Sequence, residues 1–163
     1  MFKKGVSAIV ATMILLVITV VLAALIMTVV VPFVKDQLGT SKECADTLDS
    51  LEFGESPFNC YSTTETGFSV KVKKDAVVGV QVSLINQNGD SQVYTIKNGS
   101  VVNGIRMKAS TTPLEFPTTG GQRTYVANVQ FARAEIAPLT VSDRICEVAD
   151  TIQFSPCANG VTL

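Results

Sequence analysis

The chain has 163 residues, of which 47% are hydrophobic, and a mean hydropathy of +0.35, too apolar on average for an ordinary soluble domain. It contains no histidine, so imidazole-based triads and most zinc sites cannot be built from it alone. Its 13 Lys+Arg against 14 Asp+Glu leave a net charge of -1, which gives no electrostatic case for nucleic-acid binding.

The apolar residues are concentrated at one end. From Val6 to Val34 no residue is charged, whereas every acidic residue and all basic residues but Lys3 and Lys4 come later. As helix, such a run would be about 44 Å long at 1.5 Å per residue, more than the roughly 30 Å of hydrocarbon in a bilayer. Ser7, Thr12, Thr19 and Thr28 interrupt it only with hydroxyls, which a helix can satisfy by bonding them to preceding carbonyls. Lys3 and Lys4 mark the cytoplasmic side, so the rest of the chain is expected outside. The run is too long for the 7–15-residue apolar core of a secretory signal peptide.

Ala8, Thr12, Thr19 and Ala23 fall within about 60° of one another at 100° per residue and form one stripe of small side chains. Such stripes let helices approach closely where lipid is as apolar as the protein. Pro32 is expected to bend or loosen the helix. Gly39 is a natural stop, which predicts helix to about Leu38 and an external domain from residue 39 to 163.

The order Lys3-Lys4-Gly5-Val6-Ser7-Ala8-Ile9-Val10, with no polar spacer between the basic pair and the apolar run, resembles the signal of type IV pilin-like proteins. The resemblance implies a leader of residues 1–5, cut by a prepilin peptidase on the cytoplasmic side between Gly5 and Val6. Bacterial pilins typically carry glutamate at the fifth mature position, which here is Val10. The run through Leu15-Leu16-Val17-Ile18-Thr19 to Leu22-Ala23-Ala24 is most similar to that of archaeal type IV pilins. The family implies that the trimmed helix, residues 6–38, waits in the cytoplasmic membrane and is then moved by an ATP-driven assembly machine into the centre of a helical homopolymer at the cell surface.

Residues 39 to 163 suffice for one domain, and their pattern is of strands. Phe68 to Lys73 and Val78 to Leu84 alternate apolar and polar residues, and Tyr125 to Phe131 partly does. Asn86-Gln87-Asn88-Gly89-Asp90 reads as a hairpin loop. Further turns are marked by Lys97-Asn98-Gly99, Asn103-Gly104, Thr112-Pro113, Phe116-Pro117 and Gly120-Gly121. The expected fold class is therefore α+β: a long N-terminal apolar helix followed by an all-β, antiparallel, sandwich-like domain.

Cys44, Cys60, Cys146 and Cys157 are expected to form two disulfides, as an exported domain permits. Of the three pairings, Cys44 with Cys60 and Cys146 with Cys157 is favoured because each closes a short local loop; a crossed pairing would pin the two ends of the domain together. Neither local pair has zinc-ribbon spacing, and no Cys-x-x-Cys occurs, so neither a metal nor a redox role is expected. Asn98-Gly99-Ser100 is an N-glycosylation sequon in a predicted turn.

No paired carboxylates in unlike surroundings, phosphate loop or nucleophile elbow is recognisable. Glu52 with Glu55 and Glu43 with Asp46 lie in a charged stretch that solvation explains, and Lys71, Lys73 and Lys74 read as a solvated strand face. The expectation is a structural subunit of a pilus-like filament, with no catalytic activity and no cofactor, serving adhesion or motility. The alternatives are an archaellin of a rotating filament and a single-pass, membrane-anchored binding or adhesion domain that does not polymerise.

Overall fold

A computed structural model describes residues 8–47, 49–109 and 113–163. The chain divides into two compact units, Met1–Lys42 and Glu43–Leu163.

The described residues of the first unit are helical. The element α1 spans Ala8–Leu25, a π-helical turn spans Ile26–Val30, and α2 spans Val31–Asp46. The π turn sits where Pro32 acts. Proline cannot donate to the carbonyl four residues back, and its ring crowds that oxygen. An extra residue in the preceding turn relieves the conflict, and the Val31 amide donates to the Ile26 carbonyl, one residue further back than in an α-helix. The Thr19 hydroxyl donates to the Leu16 carbonyl at 2.8 Å and that of Thr28 to the Ala24 carbonyl at 2.9 Å, as the hydroxyls in this run require.

The helix does not stop at Leu38. It passes through Gly39 and ends at Asp46, so the predicted boundary between helix and domain is displaced toward the C-terminus. Glycine inside a helix costs only about 1 kcal/mol relative to alanine, too little to end one that other forces extend. The actual stop is made by Thr47, whose amide and hydroxyl both donate to the Cys44 carbonyl at 3.2 and 2.9 Å, and by Asp49, which takes φ 56°. Aspartate tolerates that left-handed conformation better than most side chains, and the signal is weaker in sequence than glycine.

The second unit is a β sandwich. Its strands are β1 Leu51–Phe53, β2 Cys60–Tyr61, β3 Thr66–Val72, β4 Gly79–Ile85, β5 Ser91–Lys97, β6 Ile105–Met107, β7 Gln122–Ala127, β8 Arg133–Leu139, β9 Asp150–Gln153 and β10 Ser155–Pro156. One sheet runs β10-β2-β3-β7-β6, with β1 also paired to β3; the other runs β5-β4-β8-β9. All pairings are antiparallel except β10 with β2. The fold class expected from sequence is thus the one observed, with that single parallel pairing added.

Alternation supplies the core. Phe68, Val70 and Val72 of β3 meet Val80, Val82 and Leu84 of β4 and Ala134 and Ile136 of β8 in one buried cluster, with Ile96 and Tyr125. The predicted hairpin at Asn86 is present: the Asn86 amide donates to the Asp90 carbonyl at 3.0 Å, and Gly89 takes φ 92°. The strand expected over Tyr125 to Phe131 ends at Ala127. There the chain leaves one sheet for the other, guided by the buried Thr66, whose hydroxyl donates to the Val129 carbonyl at 3.0 Å and accepts from the Phe131 amide at 2.8 Å.

The outer face of β3 is covered too. β1 and β2 share one edge of β3 and leave a gap, which Asn59 fills by accepting from the Ser69 amide at 2.8 Å and donating to the Gly54 carbonyl at 2.7 Å. A side chain at Gly67 would collide with the Phe58 carbonyl and with Leu163, so only glycine lets both segments lie on this strand.

Candidate functional site

The surface with most to explain is the helix. Every described residue from Val10 to Lys35 is exposed, and large apolar side chains face all directions: Met13, Ile14, Leu15 and Leu16 occupy successive positions and are each more than half exposed. The described helix Val10–Asp46 contains an 18-residue stretch of mean hydropathy 3.2 and is long and apolar enough to cross a membrane. A helix apolar around its whole circumference is stable only inside another apolar medium.

Of the residues expected to guide processing, Lys3, Lys4, Gly5 and Val6 lie outside the described residues. Ala8 opens α1, and because α1 is regular from there to Leu25, the positions of Ala8, Thr12, Thr19 and Ala23 share one helix face. Thr12, Thr19 and Ala23 are exposed.

All four cysteines are in disulfides, but the local pairing expected from sequence is not the one formed. Cys44 bonds Cys146 and Cys60 bonds Cys157, with Cα separations of 5.4 and 4.9 Å. Strand pairing overrides proximity in sequence: β10 lies parallel to β2, and the Cys157 amide donates to the Tyr61 carbonyl at 3.0 Å, which brings Cys157 to Cys60. Cys44 is left to the loop after β8. That loop also holds the preceding residue, since the Glu43 carboxylate accepts from the Ser142 hydroxyl at 3.0 Å and from that of Thr140 at 3.3 Å. The last turn of α2 is thereby fastened to the β8–β9 connection by one covalent bond and two hydrogen bonds. Sequence reasoning missed this clamp; its only trace is a carboxylate directly before a cysteine.

Asn98 is exposed in a turn where Gly99 takes φ 76°, as an acceptor site requires. The Ser100 hydroxyl is engaged, donating to the Lys97 carbonyl at 2.8 Å and accepting from its amide at 3.2 Å.

Lys71 and Lys73 are brought together around Glu52, Lys71 at 3.0 Å and Lys73 closer still. The hydrogen bond from Lys73, seconded by that from Lys71, holds the Glu52 carboxyl below its usual range, and Glu52 in turn raises Lys73. Glu52 thus offsets one of the two ammonium charges and ties both lysines to the strand face. Burial pushes the Tyr125 phenol up; its hydroxyl donates to the Glu115 carbonyl at 2.7 Å and serves the core. Among the described residues no three acidic or cysteine side chains gather as a metal site would need.

No protein-family model matches the chain, and no curated protein matches it. The functional reading therefore stands on the residues themselves.

Proposed function

We propose that the chain is a structural subunit of an extracellular type IV pilus-like filament, similar to archaeal pilins, which polymerises through its N-terminal helix while the sandwich domain forms the outer surface. The observation that carries this reading is the helix Ala8–Leu25 and its continuation, uncharged to Val34 and exposed at every residue from Val10 to Lys35. Its circumference suits two successive surroundings, first lipid and then the helices of other copies. The signal-like order Lys3-Lys4-Gly5-Val6 supports a leader removed by a prepilin peptidase before assembly. Two disulfides in the sandwich domain suit a location outside the cytoplasm.

With no glutamate at Val10, a salt bridge from that position to a neighbour's N-terminal amine does not set the register. Shape must do so, and the small-residue face of α1 is the part of the helix that permits close approach.

The test is electron microscopy of material sheared from cells, with N-terminal sequencing of the subunit. Filaments built from a chain that begins at Val6 are expected. A dispersed membrane protein retaining Met1 would instead make the chain a solitary anchor.

A further inference from the structure

Strand β5 lies at the edge of its sheet, paired only with β4. Which of its backbone groups remain free follows from the hairpin. The Asn86 amide bonds the Asp90 carbonyl, so residues 86 and 90 are a hydrogen-bonded pair. In antiparallel ladders such pairs alternate with non-bonded ones. With Leu84 opposite Gln92 and Val82 opposite Tyr94, residues 92, 94 and 96 bond to β4, and the amides and carbonyls of Ser91, Val93 and Thr95 point to the open side. Lys97 confirms the phase independently: its amide turns away from β4 to the Ser100 hydroxyl at 3.2 Å.

Proteins blunt such edges with charge, proline, bulges or short strands. The other outer strands are blunted: β1 and β6 have three residues each, β10 has two including Pro156, and β9 has four and opens on Asp150. In contrast β5 has seven residues, no proline, and no charge before Lys97. Ser91, Val93 and Thr95 are all exposed, Val93 by 55%.

We propose that β5 is a self-association site, pairing antiparallel with β5 of a second copy so that two four-stranded sheets become one continuous sheet. Charge selects this occupant and direction. Asp90 precedes the strand and Lys97 closes it, with six uncharged residues between, so antiparallel pairing sets the acidic end of each strand beside the basic end of the other, whereas parallel pairing opposes like charges. Lys97 gives one of its ammonium donors to Asp143 at 2.6 Å and retains the others. With the two-fold axis at Val93, Val93 faces Val93, and Ser91 faces Thr95. Both are favourable cross-strand pairs, and about six backbone hydrogen bonds form, two for each bonded pair. The proposal does not depend on the filament reading.

The test uses the full chain in detergent micelles. All described cysteines are in disulfides, so Val93→Cys adds one free thiol on the axis. It is expected to give a reducible covalent dimer, Thr95→Cys alone to give none, and an equal mixture of Ser91→Cys and Thr95→Cys chains to give the mixed dimer. Val141→Cys, at a more exposed valine, controls for collision. Val93→Lys sets two ammonium groups face to face and is expected to weaken dimerisation at least about tenfold by sedimentation equilibrium. Since Val93 is exposed, near-ultraviolet circular dichroism should be unchanged. Cross-linking of Val93→Cys no faster than Val141→Cys, or a mass distribution of Val93→Lys like the parent's, overturns the proposal. Association through the apolar helices alone gives that second result and leaves the filament reading intact.

Discussion

The two disulfides interleave along the chain, and this makes their energetic contributions dependent on each other. Cys44–Cys146 spans 102 residues and Cys60–Cys157 spans 97. In the chain-entropy account, closing either loop alone in the unfolded chain is worth about 4.7 kcal/mol at 25 °C. Once one is closed, the second needs to close only the path from Cys44 to Cys60, across the bridge, and from Cys157 back to Cys146. That path is about 27 residues and is worth about 3.5 kcal/mol. Replacing either pair by alanines should therefore cost about 3.5 kcal/mol, while replacing both should cost about 8, more than twice the single loss. The local pairing would instead give two independent losses of about 3 kcal/mol each, summing to about 6. Guanidinium unfolding of the full chain in detergent, followed by near-ultraviolet circular dichroism of its three tyrosines, measures all three variants. Peptide mapping without reductant must also recover Cys44 joined to Cys146. Recovery of Cys44 joined to Cys60, or losses that simply add, refutes the reasoning.

Three further changes probe other parts of the chain. Thr66→Val keeps the side-chain volume but strands the buried Phe131 amide and the Val129 carbonyl, and should lower the stability of the sandwich by about 1–3 kcal/mol in the same unfolding assay. Glu52 has a carboxyl held down by its two lysines, so its contribution is fully present above the ordinary glutamate value of about 4.3 and is lost as pH falls through the lower folded-state value. Glu52→Gln should accordingly reduce stability at neutral pH and flatten its decline below about pH 4, measured by denaturant midpoints across pH. Gly5→Leu should leave uncleaved precursor in the membrane and no filaments; normal filaments from that variant would reject the proposed cleavage.

Much of the fold was legible because it follows from local periodicity. The uncharged run announced a helix, Phe68 to Lys73 and Val78 to Leu84 announced by alternation the strands found at Thr66–Val72 and Gly79–Ile85, and Asn88-Gly89 announced the hairpin. What was not legible depends on residues far apart in sequence. The disulfide pairing follows from β10 lying against β2, a contact that no local pattern encodes because Ser155 and Pro156 look like coil. The clamp on Glu43 needs Thr140 and Ser142, and the chain's departure from β7 needs Thr66. The helix ran past Gly39 because a single glycine penalty is small, and it stopped at an aspartate in the left-handed region, a position sequence marks only weakly.

The two association surfaces are different in kind, and the difference bears on what each could do. Up to Val34 the helix is apolar and uncharged, and the hydroxyls of Thr19 and Thr28 are satisfied internally, so moving this stretch from lipid to a bundle of helices desolvates no charge and leaves both hydroxyls bonded. Such a surface permits many copies to pack in one sense, as an open head-to-tail repeat requires. The β5 edge is directional and self-complementary about a two-fold axis. A filament whose helices all point one way contains no two-fold perpendicular to its length, and an isologous contact closes after two copies. In a proposed filament, β5 pairing would therefore not extend the fibre; it would join domains of neighbouring filaments side by side, so that Val93→Lys separates bundles while leaving each filament whole.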